Sequence, residues 1–197
     1  LLSGGKYRHF TNRERTDGGL FPDLLNVALR TADVPFESFG FAWENDWSRH
    51  LEPLLADGRH DLGFPWLKPD CERNPQRYRC RNFVFSEPMF EMLVVLFVDR
   101  EDPVRFEEPS DLYAEVLCRP KGYYTHDLET GGRDWLSKKR VTLWRPDTLA
   151  ECFRMLVDGG VDAVAVNEFT GRAAVHRLGL AERVEILRSR PLSIEGL

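Results

Sequence analysis

Three things are scarce in this sequence of 197 residues, and each scarcity excludes a class of function. Basic residues are in the minority, with 27 Lys and Arg against 32 Asp and Glu and a net charge of -5. The two signs are interspersed, so no basic stripe exists for phosphate backbones, and nucleic acid is not an expected partner. Apolar runs are short. The longest, Met92 to Val98, is strand length and well below the roughly 18 residues of a membrane span. Cysteines number four, Cys71, Cys80, Cys118 and Cys152, with no C-x-x-C spacing and no His at ligand distance beside them. A zinc site is therefore not expected, nor any other metal or cofactor. An even count fits two disulfides in any of three pairings, with four buried free thiols as the alternative. The chain starts abruptly at Leu1-Leu2-Ser3, as if a leader had been removed, so the lack of one does not argue for the cytoplasm.

What is present is ordinary globular composition, 42% hydrophobic and 30% charged, on a length that suits one domain or two small lobes. Strand and helix patterns alternate. Leu1 to Ser3 predicts a strand end, and Gly18-Gly19 leads into a helix whose buried face is Phe21, Leu24, Leu25, Ala28 and Leu29. Val34 to Phe41 predicts a second strand. Trp47 to Leu55 predicts a helix kinked or restarted at Pro53. His60 to Phe64, Phe83 to Phe85 and Met92 to Val98 read as strands, with a polar loop over 68–82. A second series follows: a strand at Glu115 to Cys118, a helical stretch through Trp135 and Leu136, and a strand at Val141 to Leu143. Thr148 and Glu151 then form a capping box on a helix running to Gly159. Val161 to Val166 predicts a central strand buried on both faces. A helix over Thr170 to Leu178 and a strand over Val184 to Leu187 complete the pattern. The fold class predicted is α/β with two similar lobes, each a central sheet flanked by helices.

Four segments carry a resemblance. Gly18 to Leu25 is similar to the opening of the first helix in family 3 extracellular solute-binding proteins, and Leu54 to Leu62 to their "LxxGxxD" segment. Phe85-Ser86-Glu87-Pro88-Met89-Phe90 resembles their "FSxPY" turn, and Leu156 to Val164 their "LxxGxxDAV" segment. The resemblance implies a type 2 periplasmic-binding-protein fold, two lobes joined by crossover strands and closing on a ligand. Lobe 1 is then expected over 1–98, a crossover over 99–110, lobe 2 over 111–190, and the start of a return crossover over 191–197. The rest of that return, which would complete lobe 1, is expected to lie outside the sequence.

Candidate ligand residues follow from the strand ends, since open α/β sheets bind beyond the carboxyl ends of their strands. These are Tyr7, His9 and Phe10 after the first strand, Trp66 and Lys68 after His60 to Phe64, and Gly122 to Asp127, with Tyr123, Tyr124 and Thr125 foremost, after Glu115 to Cys118. Asn167 and Glu168 follow Val161 to Val166. The resemblance makes Tyr7 or Phe10 an aromatic stacked on the ligand and residues 122–125 a carboxylate-receiving loop. It also implies an Arg that pairs with a carboxylate: counting back six from Phe85 gives Arg79, with Arg73 and Arg77 as alternatives. Asn167 stands where the family carries an ammonium-binding Asp, and Asn has no full charge, so another polar or anionic solute is as open as an amino acid. Core packing or an ordinary turn is the rival role for each aromatic and for the loop. Cys71 and Cys80 close one short loop, and Cys118 on a strand can meet Cys152 on the helix over it, so those two pairings are expected.

The function implied is a periplasmic, monomeric receptor that captures a small polar solute and hands it to the membrane permease of an ABC importer. The same fold in a membrane sensor is the alternative. An enzyme is not expected: Glu168 and His126 are its only tempting residues, and a cysteine–histidine nucleophile is a weaker possibility.

Overall fold

A computed structural model describes residues 1–7, 10–32, 39–72, 74–187 and 190–197. The chain divides into two compact units, Leu1–Glu87 with Leu197, and Pro88–Gly196.

In the first unit β1 (Leu2–Ser3) pairs with two later segments. β2 (Lys6–Tyr7) and β3 (Thr11–Asn12) form an antiparallel pair, α1 spans Leu20–Thr31, and β4 (Ala42–Trp43) runs parallel to β1. Leu2 also bridges in parallel to Gly63. Only that bridge forms of the strand expected over His60 to Phe64. Of the strand expected over Val34 to Phe41, residues 34–38 lie outside the described residues, and the paired strand is the later β4. Gly19 caps α1 with φ 103°, and a Cβ there would lie 2.7 Å from the Phe10 carbonyl oxygen, so only glycine fits the turn.

The buried face of α1 is narrower than its periodicity suggests. Phe21 and Pro22 are fully buried, Leu25 and Leu29 half-buried, and Leu24 and Ala28 exposed. A helical segment at His50–Leu55 breaks at Glu52 (φ -135°, ψ 121°), because a residue before proline is driven out of the α region. The stretch expected as loop contains a short helix, α2 (Tyr78–Asn82), and Phe83 to Phe85 forms no strand among the described residues.

The second unit is built on β5 (Glu91–Asp99), β6 (Val116–Cys118), β7 (Thr142–Trp144), α3 (Leu149–Val157), β8 (Ala163–Asn167), α4 (Glu168–Leu178), β9 (Val184–Ile186) and β10 (Ser193–Gly196). The six strands make one sheet in the order β10-β5-β8-β6-β7, with β9 on β5 beside β10. β6, β7 and β8 are mutually parallel, and β5 runs antiparallel to β8, β9 and β10. Although the sequence reading ran the first lobe to 98, β5 hydrogen-bonds wholly within this unit.

Alternation along β5 explains its unbroken apolar run. Val94, Leu96 and Val98 face one core with Leu117, Trp135, Ala163 and Ala165, while Val95 and Phe97 face another with Cys152, Phe153, Val164 and Val166. α3 and α4 cover the second face. Phe106, Leu112, Leu128 and Trp135, from the turns and 3₁₀ segments on either side of β6, cover the first, and the helix expected through Trp135 is replaced by turns that follow the 3₁₀ turn at His126–Leu128. The capping box at Thr148 and Glu151 is present as expected. α4 lies so close to the sheet that a Cβ on Gly171 would fall 2.1 Å from the Phe97 ring.

Candidate functional site

Within the first unit, two of the expected residues come together. Trp66 is half-buried in an aromatic cluster, edge-on to Trp47 (5.6 Å between centroids) and to His50 (5.9 Å). The Arg79 guanidinium lies over its indole at 4.6 Å, within cation–π range. The disulfide Cys71–Cys80 explains the placement: it ties α2, which carries Arg79, back to the chain that follows Trp66. The Trp66 Nε1 is buried without a hydrogen-bond partner.

His50 is fully buried, and burial lowers its pKa below the ordinary 6.5 although the Glu44 carbonyl accepts from its Nε2. Because a carbonyl only accepts, Nε2 carries the proton in that bond.

The other first-unit residues are placed differently. Tyr7 packs on Phe10 (5.0 Å), but Phe10 is 2% exposed and stacks on Phe21 at 4.9 Å, which makes it a core ring. Lys68 and Arg77 are exposed, while His9 and Arg73 lie outside the described residues.

In the second unit the strand order β7-β6-β8 makes β6 a switch point: the chain leaves it for β7 on one side and returns through α3 to β8 on the other. Two loops follow the carboxyl ends there, 119–125 after β6 and the start of α4 after β8. The first is held from below by two arginines. Arg119, 2% exposed, donates through Nε to the Ala165 carbonyl, through Nη1 to the Tyr124 carbonyl, and through both Nη atoms to Asp127 (2.6 and 2.9 Å). Arg145 donates to the carbonyls of Pro120 and Tyr123.

With three loop carbonyls turned onto guanidinium groups, the amide N–H groups of Gly122 and Thr125 have no acceptor among the described residues. Backbone amides freed in this way suit an anion. Tyr123 is about one-third exposed, with its phenol pKa raised by burial, and Tyr124 packs edge-on to His126 at 5.8 Å.

At the second loop Asn167 caps α4, its Oδ1 accepting from the Thr170 N–H at 2.9 Å, and Glu168 pairs with Arg172 at 2.7 Å. Asn167 thus has a structural task that the strand-end rule did not foresee.

Sequence reasoning did not single out the buried Arg119–Asp127 pair. Its one signal was an Arg immediately after a strand and an acid in the same loop, which is common on surfaces. A neighbouring group was missed as well: Arg133 donates to the Asp127 and Leu192 carbonyls, and Ser193 Oγ donates to Asp127. Burial raises the pKa of Glu195 on β10, an effect Asp127 reinforces and Arg119 and Arg133 oppose. All four cysteines are paired, Cys71 with Cys80 and Cys118 with Cys152.

No family model matches the chain, and no curated protein matches it in sequence. Solved structures do. Arginine-bound ArgBP from T. maritima, as a point mutant, is similar over 100% of this chain and 84% of its own, at 23% identity and a TM-score of 0.61. The periplasmic VFT2 domain of BvgS from Bordetella pertussis is similar over 99% of this chain and 77% of its own, at 18% identity and TM-score 0.65. An ancestral amino acid-binding protein, a precursor of cyclohexadienyl dehydratase, is similar over 100% and 77%, at 16% identity and TM-score 0.57. At these identities the likeness establishes the fold: the chain has the α/β type 2 periplasmic-binding-protein fold, a ligand-binding fold, as the four sequence segments implied.

Proposed function

We propose that this chain is an extracytoplasmic receptor for a small polar or anionic solute, working by binding and not by catalysis. The observation that carries the reading is the loop after β6, whose carbonyls are occupied by Arg119 and Arg145 while the Gly122 and Thr125 amides are left for an anionic group. Those amides and Glu168 are the proposed contacts of the second unit, with Tyr123, Tyr124 and Asn167 around them. Trp66 and Arg79 are the proposed contacts of the first, Trp66 as a flat wall and Arg79 as the partner of a carboxylate. Tyr7 and Lys68 are lesser candidates. Two disulfides support an oxidising compartment, hence the periplasm.

Delivery to the permease of an ABC importer is the first reading, with the receptor acting as a monomer. A sensor domain is the second, supported by the likeness to the BvgS domain at TM-score 0.65. Glu168, ion-paired with Arg172, is a ligand partner in either case.

A thermal-shift screen against amino acids, polyamines, small carboxylates and sugars tests the reading. A ligand at about 100 times its dissociation constant stabilises a protein by about 2.7 kcal/mol, several degrees in melting temperature. Trp66→Ala and Arg79→Ala are expected to abolish the shift. Folded protein that responds to nothing across the panel would sink the receptor reading.

A further inference from the structure

The first unit also contains a hollow that shares no residue with the contacts proposed above. It has a volume of about 720 Å³ and lies between the 13–18 loop, α1 and the chain leading into β4. That volume is within the roughly 300–1,000 Å³ typical of small-molecule sites.

One wall is an aromatic ladder. Phe39, Phe41 and Trp43 occupy alternate positions of extended chain, so they face one side, with ring centroids 6.2 Å and 6.3 Å apart. Gly18 closes one end against Pro22 and Trp43; a Cβ there would lie 2.9 Å from the Pro22 side chain.

The opposite wall is charged, and its groups are unequally committed. Asp17 is held by Arg15 through two hydrogen bonds (2.8 and 2.6 Å) and accepts from the Gly19 N–H, and these bonds hold its carboxyl well below the usual range. Arg30 donates to Asn26 at 2.9 Å. Among the described residues the Arg13 guanidinium has no hydrogen-bond or ion-pair partner, and neither has the Asp23 carboxylate. The lining therefore holds Arg13, Arg15 and Arg30 against Asp17 and Asp23, a positive excess. An aromatic wall beside carboxylates alone would suit a cation. Here the excess guanidinium reverses the preference.

We propose that this hollow is a second ligand site, for a small organic anion with a flat apolar body, of the arene- or indole-carboxylate class. The carboxylate pairs with Arg13 and the ring lies against Phe41 and Trp43. The site does not depend on the receptor reading.

Indole-3-carboxylate is the probe, titrated into the folded chain by calorimetry, with uncharged indole as its control. Saturable binding is expected, weakened about tenfold or more by Arg13→Ala and much weaker for indole, as the loss of a charge-assisted hydrogen bond requires. Arg13 is exposed, so the variant should melt at the parent temperature, which a thermal scan verifies. No saturation up to about 1 mM, or equal affinity in Arg13→Ala, overturns the proposal. So does loss of binding in Trp66→Ala with Arg13→Ala unaffected, because the probe then occupies the solute contacts instead.

Discussion

The two units rest on different physics although the same chain alternation predicts both. Pro88–Gly196 buries both faces of one six-stranded sheet, and its cores join residues far apart in sequence. In Leu1–Glu87 the buried apolar side chains among the described residues are Leu2, Phe10, Phe21 and Phe64 with the prolines Pro22, Pro65 and Pro69. That unit is held by two-residue strands, an aromatic cluster around Trp47, His50 and Trp66, and the Cys71–Cys80 staple. Leu20, Leu24 and Val27 form an apolar stripe on α1 that is 40–53% exposed. Fully burying a large apolar side chain is worth about 1.5–3 kcal/mol, so the second unit should be the more resistant to unfolding.

The sharpest challenge to that contrast is to strand a charge inside the better-packed unit. Asp127→Ala leaves the Arg119 guanidinium buried without its bidentate partner, and breaking such a pair costs about 3–5 kcal/mol. Denaturant unfolding, read by hydrogen exchange of peptides from 88–196, should show that loss. A change below about 1 kcal/mol would mean water reaches the pair.

Paired truncations sharpen the comparison next. Leu96→Ala removes a fully buried side chain and is expected to cost about 2–5 kcal/mol. Leu24→Ala, on the exposed stripe, should stay within about 0.5 kcal/mol. Equal costs would show that α1 is covered in solution.

Disulfides give a third contrast. Cys118 and Cys152 are fully buried, whereas Cys71 and Cys80 are half-buried. Mild reductant followed by alkylation and peptide mass analysis should modify Cys71 and Cys80 first. The Cys71→Ser/Cys80→Ser double variant is expected to cost about 2–4 kcal/mol in the first unit. Prior modification of Cys118 would break the contrast.

The smallest effects are in pH dependence, and they have opposite signs. With its pKa lowered by burial, His50 favours the folded state fully above its ordinary 6.5, and that contribution is lost as pH falls from there toward the lowered value. Glu195 has its pKa raised by burial, so its contribution is complete below the ordinary 4.5 and is lost as pH rises through the raised value. Acidification below 6.5 should therefore loosen the first unit before the second, and His50→Phe should remove that part of the pH dependence. An unchanged profile in His50→Phe would assign the acid sensitivity elsewhere.

Legibility differed between the units for the same reason that stability does. Elements whose stabilisation is local were readable: the Thr148–Glu151 capping box, the glycine entry to α1, the break before Pro53. The run Val161 to Val166 also announced a strand buried on both faces, because that environment accepts apolar residues at consecutive positions. The helix expected at Trp135 failed because its apolar spacing serves a turn packed under the sheet, where burial and not helix periodicity selects the residues. Trp66 and Arg79 were picked out singly as candidates, but their contact with each other was not legible. Phe10 looked like a ligand wall and proved to be a core ring, since strand-end position does not say which way a side chain turns.

By itself, then, the sequence determined the α/β class, the four family-like segments and the outline of the candidate loops. All of these depend on neighbours within a few residues or on simple spacing. Only the tertiary structure decided that Arg119 and Asp127 are buried together, that Arg145 holds the Pro120 and Tyr123 carbonyls, and that Arg13 and Trp43 line one hollow. Such arrangements join segments whose separation along the chain says nothing about their distance in space, and burial changes the chemistry of a charged group only after the chain has folded around it.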